Sequence, residues 1–145
     1  MIDVNDKILL RQIIMEHYTE PENKKLIENP SSIIQKQDSA TCSDEIDVQL
    51  LIENNIILDA RFDGVACAIA ISSSDILCNE LKNKSLKDAI LHLDNYHKLI
   101  TGEKYNNEIL NELIVFSDIH KQGNRINCAL LAADGFKKII LNEVK

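Results

Sequence analysis

At 145 residues the chain is long enough for one hydrophobic core and too short for two comfortable domains, so residues 1–145 are read as a single domain. Hydrophobic residues make up 45% and charged residues 27%, with only four Gly and two Pro, which excludes a fibrous or largely disordered chain. A net charge of −7 without a long basic run leaves counterion-release binding to nucleic acid little to work with, and proteins or small molecules are the expected partners.

The first residues are acidic, with Asp3 and Asp6, and they lead into an amphipathic pattern instead of a signal-peptide run. No stretch approaches the roughly 20 apolar residues that cross a bilayer. A cytoplasmic protein without membrane contact is expected. Val4, Ile8, Leu9, Ile13, Ile14 and Met15 recur at helical spacing, and Pro21 closes this first helix. Residues 23–40 contain Asn29, Pro30, Ser31 and Ser32 before the short pair Ile33 and Ile34, which predicts a loop and a brief edge strand. Ile46, Val48, Leu50 and Ile52 alternate with mostly polar neighbours, and Ile56, Leu58, Ala60 and Phe62 repeat the period after Asn54 and Asn55. That pattern is a hairpin whose Asn pair tolerates positive φ, and Gly64 ends its second strand.

Helices are expected over residues 67–81 and 85–100, the second entered through Ser85 and closed by Gly102. A short helix through Leu110 and Leu113 to Phe116 follows the polar Asn106 and Asn107, and Gly123 and Asn124 then break the chain. The last helix covers residues 126–144 despite Gly135 in its middle. The expected fold class is α+β: a small antiparallel sheet of about three strands with helices packed mainly on one face.

Cys42 precedes the hairpin, Cys67 follows it at a helix start, and Cys128 stands near the start of the last helix. A hairpin returns the chain to its origin, which brings Cys42 and Cys67 together, and Asp44 points to the same side as Cys42 in extended backbone. Helix starts at Cys67 and Cys128 favour thiolate through the positive end of the macrodipole. Three thiolates and a carboxylate suit a closed tetrahedral zinc site. The same cysteines are also compatible with small buried hydrophobes, and their spacing matches no zinc finger or ribbon.

Cys78 lies eleven residues after Cys67, about 16 Å along a helix, and is read as a packed or half-exposed thiol. His17, His92, His97 and His120 fall in helical segments away from the cysteines and are read as surface or capping residues. Ser72, Ser73 and Ser74 lack the flanking glycines of a nucleophile elbow and are expected to line a helix near the cysteine site.

Several segments resemble a known family. Leu10 to Tyr18 with Pro21 and Asn23 is similar to the N-terminal helix of SufU and IscU-like iron–sulfur assembly proteins. Thr41, Cys42, Ser43 and Asp44 resemble their Thr-Cys-Gly-Asp segment, residues 62–69 their Phe-x-Gly-x-Gly-Cys-x-Ile segment, and residues 125–131 the third cysteine and its helix. Asn127 stands where IscU scaffolds carry His, and the 60 residues between Cys67 and Cys128 resemble the longer SufU spacing. Ser43 and Ala66 replace family glycines, and Asn127 replaces the Lys usual in SufU. The resemblance implies that Cys42, Asp44, Cys67 and Cys128 hold zinc and that Cys42 is the catalytic sulfur acceptor. It also implies a SufS-type, PLP-dependent cysteine desulfurase as partner, which lends a His to the zinc on docking. The alternative it carries is a scaffold on which a transient iron–sulfur cluster is built and passed to client proteins.

Overall fold

A computed structural model describes residues 2–39 and 43–144. The chain runs α1 (Lys7–Thr19), β1 (Ile33–Asp38), β2 (Glu45–Glu53), β3 (Ile56–Val65), α2 (Ala68–Leu81), α3 (Leu86–Thr101), three short 3-10 turns, and α4 (Gly123–Glu143). α1 begins at Lys7, later than the apolar pattern suggests, because the Asp6 carboxylate caps it by accepting the Leu9 N–H at 3.1 Å. Leu10, Ile13 and Ile14 face inward, whereas Ile8 is 81% exposed.

The three strands form an antiparallel sheet in the order β1-β2-β3. Asn54 and Asn55 both take positive φ, 54° and 63°, as the hairpin pattern predicts. β1 pairs with β2 along its whole length, Ile33 opposite Leu50 and Asp38 opposite Glu45, so the edge strand is longer than its two isoleucines suggest. Polar Gln35, Lys36, Gln37 and Asp38 hide this strand from a hydrophobic pattern. A register shift interrupts β2 and β3 between Leu51 and Ile52.

Ile46, Val48, Leu50, Ala60 and Phe62 are fully buried on the inner face of the sheet. α4 lies across β1 and β2, α2 packs against β3, α1 packs on α2, and α3 packs on α4, which leaves the helices on one side as expected. The outer face carries charges, including the pairs Lys36–Glu45 at 2.5 Å and Lys24–Asp63 at 3.1 Å. Gln49 is also on that face yet only 1% exposed, because the preceding loop folds over it. Its amide accepts the Ile27 N–H and donates to the Ile27 carbonyl, both at 2.8 Å, and donates to Ser32 Oγ at 2.7 Å.

Tyr96, Phe62, Phe116 and Phe136 are the bulkiest wholly buried side chains. Tyr96 meets Phe116 edge to face at 6.2 Å and donates its hydroxyl to the Ala129 carbonyl at 2.9 Å, so α3 is tied to α4 next to Cys128. The expected helix ending at Phe116 is 3-10 in form, over Asn107–Ile109 and Asn111–Phe116. Asn111, the first residue of the second, has a φ of 49°, which an α-helix does not accept. Among the described residues no helix is long and apolar enough to cross a membrane.

Candidate metal centre

Cys67 is the N-cap of α2: its backbone is extended, and its Sγ accepts the Ala70 N–H at 3.5 Å. Asp44, 7% exposed just before β2, accepts the Cys67 N–H on Oδ1 at 2.9 Å. Strand pairing makes this contact possible, since Glu45 sits opposite Val65 and Ile46 opposite Gly64. Gly64 has a φ of 142°, and a Cβ there would lie 2.1 Å from the Glu45 carbonyl oxygen. Only glycine lets the two strands come this close beside the site.

Cys128 reaches the same place from α4 and is 4% exposed. One carboxylate oxygen of Asp44 and the sulfurs of Cys67 and Cys128 all lie within 4.8 Å of one another. Zinc bonds of about 2.0 Å to oxygen and 2.3 Å to sulfur set tetrahedral ligands roughly 3.5–3.8 Å apart, so shifts of about 1 Å bring this group to bonding distance. The donor set, two thiols and a carboxylate, fits zinc and also iron. Cys42, the remaining expected ligand and the expected acceptor, lies outside the described residues.

The group opens into a pocket of about 320 Å³ lined also by Gly123, Asn124, Arg125 and Asn127. Arg125 puts a cation at the rim of two thiols and a carboxylate. One expectation needs correction here. Gly123 and Asn124 do not break the chain but form the first turn of α4, where backbone N–H groups have no intrahelical partner in any case. Cys128 is therefore the sixth residue of its helix instead of the third, beyond the first turn where the macrodipole acts.

Cys78 is fully buried on α2, and burial pushes its thiol well above the ordinary range, as suits a packed residue with no chemical role. Ser72, Ser73 and Ser74 are buried on the same helix and donate their hydroxyls back to carbonyls of Ala68 and Ala70.

His17 is not the surface or capping residue its helical setting suggests. It is 8% exposed, with Nδ1 at 2.6 Å from Asp75 Oδ2 and Nε2 at 3.2 Å from Glu112 Oε1. Asp75 is fully buried and accepts the Asn23 N–H at 2.8 Å and the Asn23 side-chain amide at 3.0 Å. The Asp75 bond raises the His17 pKa against the opposing effect of burial, and Glu112 adds to the rise. Burial alone would raise Asp75, but its bonds to His17, Asn23 and Glu22 outweigh that and hold it below the usual carboxylate range. The sequence held two signals of this network: His17 continues the inward stripe of Leu10 and Ile14 at helical intervals, and Asp75 is a lone charge among small and apolar residues, which demands a partner. His92 is likewise buried, 3.3 Å from Glu80, which also accepts from Asn111 at 2.8 Å.

Residues 9–141 match the family described as the NifU-like N terminal domain. A Bacillus subtilis protein named zinc-dependent sulfurtransferase SufU is 28% identical over 142 residues, 97% of this chain and 95% of that protein. A Thermotoga maritima protein named iron-sulfur cluster assembly scaffold protein IscU is 21% identical over 134 residues, 92% of this chain and 94% of its own length. The crystal structure of a putative iron-sulfur cluster assembly scaffold protein for the SUF system from Fervidobacterium islandicum superposes with a TM-score of 0.83 at 23% identity, covering 88% of this chain and 93% of that one.

Proposed function

Because the chain belongs to the NifU-like N-terminal domain family, and its relatives include one named a zinc-dependent sulfurtransferase and one named an iron-sulfur cluster assembly scaffold protein, we propose that it is a zinc-holding sulfur acceptor of the cytoplasm. Its sulfur comes from the persulfide of a SufS-type cysteine desulfurase. The observation that carries this reading is the convergence of Asp44, Cys67 and Cys128 within 4.8 Å, with Cys42 two residues before Asp44 in the sequence.

Bound zinc would keep these thiols deprotonated at neutral pH. Asp44, Cys67 and Cys128 would hold the metal together with Cys42, and Cys42, once released from it, is the acceptor. The Cys42 thiolate attacks the outer sulfur of the desulfurase persulfide, a new S–S bond forms at Cys42, the old one breaks, and the desulfurase thiolate leaves with its electron pair. No external oxidant or reductant is consumed. Arg125 at the pocket rim offers a charge to the anionic sulfur in transit. The first-turn amides of α2 do the same for Cys67.

A second reading, a scaffold that builds an iron–sulfur cluster and hands it to clients, has support from the Thermotoga relative's name and from the fit of the same thiolates to iron. Two measurements separate the readings: metal content of the purified protein, and desulfurase turnover with cysteine in its presence. Zinc near one equivalent, with acceleration of turnover that vanishes in Cys42→Ala, is the expected result. A stable, transferable cluster without acceleration would give the second reading precedence.

A further inference from the structure

Gly135 lies inside α4 where the helix crosses the sheet. A methyl group there would stand 2.7 Å from Gln37 Cγ and 2.8 Å from Val48 Cγ2, distances at which something must move. Val48 is fully buried on β2 and, being β-branched, is stiff at χ1. Gln37 on β1 is held at both ends of its amide. Its Nε2 donates to the Leu131 carbonyl, one turn before Gly135, at 3.1 Å, and its Oε1 accepts from Lys138 Nζ at 3.1 Å.

Neither neighbour can retreat freely, so an added side chain is accommodated by lifting the helix. Cys128 lies on that helix two turns before Gly135, about 10 Å along the axis. Asp44 lies at the entrance to β2, four residues before Val48. We infer that Gly135 is a positioning residue for the metal centre: the close helix–sheet approach it permits sets the reach between Cys128 on the helix and Asp44 at the strand entrance. This rests on the reading of Asp44, Cys67 and Cys128 as ligands.

The test is a titration of metal-free protein with Co²⁺, followed by its thiolate charge-transfer and d–d bands, and a Zn²⁺ competition. Wild type, Gly135→Ala and Gly135→Ala/Val48→Ala are compared, with thermal unfolding in chelator as the stability control. Gly135→Ala should weaken both metals roughly 10- to 100-fold, as when groups that orient ligands are lost, and alter the d–d bands. The double variant, with room made at residue 48, should recover most of the affinity and the wild-type bands even though its metal-free form is no more stable. Should Gly135→Ala fail to fold, Val48→Ile adds its methyl from the strand side and carries the same expectation. A lowered melting temperature with unchanged affinity and bands would show a purely structural glycine and overturn the inference. If wild type itself takes neither metal, the ligand reading fails first, and this inference with it.

Discussion

The Asp44 carboxylate accepts the backbone N–H of Cys67 at 2.9 Å, tying the entrance of β2 to the first residue of the α2 cap. Ligand and cap are thereby coupled, and two substitutions separate the roles. Asp44→Asn keeps an acceptor for the amide but removes the anion, and should weaken zinc about 10- to 100-fold with little change in metal-free stability. Asp44→Ala orphans the Cys67 amide as well and should cost a further ~1–2 kcal/mol. Chelator competition and unfolding in EDTA report the two quantities; equal zinc affinity in both variants and wild type would remove Asp44 from the ligand set.

The pairing of His17 with Asp75 sets a pH window for stability. The raised His17 pKa contributes stability that is full below the ordinary value of 6.5 and is lost as pH rises through the higher folded value. The lowered Asp75 pKa contributes stability present above 3.8 and lost as pH falls through the folded value beneath it. The network therefore stabilises most between those two limits. His17→Ala, which leaves Asp75 buried beside fewer partners, should cost about 3 kcal/mol near pH 6. Urea midpoints across pH 4–9 should show stability declining above 6.5 in wild type and a flatter profile in the variant. A variant with the wild-type slope would mean that another group titrates there.

Gln49 clamps the loop of residues 27–32 over the outer face of the sheet through three hydrogen bonds. Gln49→Ala should destabilise by ~2 kcal/mol and expose that loop to limited proteolysis without altering metal affinity. Cleavage no faster than in wild type would show that other contacts hold the loop.

Cys78 gives a chemical control. Fully buried and pushed up in pKa, it should resist alkylation in the folded protein while the half-buried Cys67 reacts, as read by peptide mass mapping. Rapid labelling of Cys78 at a reagent concentration that leaves the fold intact would contradict its burial.

Periodicity carried most of the fold: the hairpin, its Asn turn and helices α2 and α3 stand where their spacing places them, because each depends on local pattern and near-neighbour packing. β1 was only half legible, since Gln35 and Gln37 serve contacts with the strand partner and α4 that no local window contains. The start of α4 was misplaced because Gly123 and Asn124 punctuate most chains but are tolerated in a first helical turn. Of the site, the meeting of Asp44 with Cys67 followed from hairpin geometry, whereas the approach of Cys128 depends on how α4 crosses the sheet, a tertiary property. His17 was missed for the same reason: its partners are 58 and 95 residues away.

The candidate ligands come from the entrance of β2, the cap of α2 and the second turn of α4, pieces that meet only once the sheet and both helices have assembled. An ion held by them would recognise the native chain and not the denatured one, so supply of metal would itself tune how much protein stays folded. Free ion at a hundred times the dissociation constant would add about 2.7 kcal/mol, and a metal-starved cell would hold a correspondingly larger unfolded pool open to proteolysis.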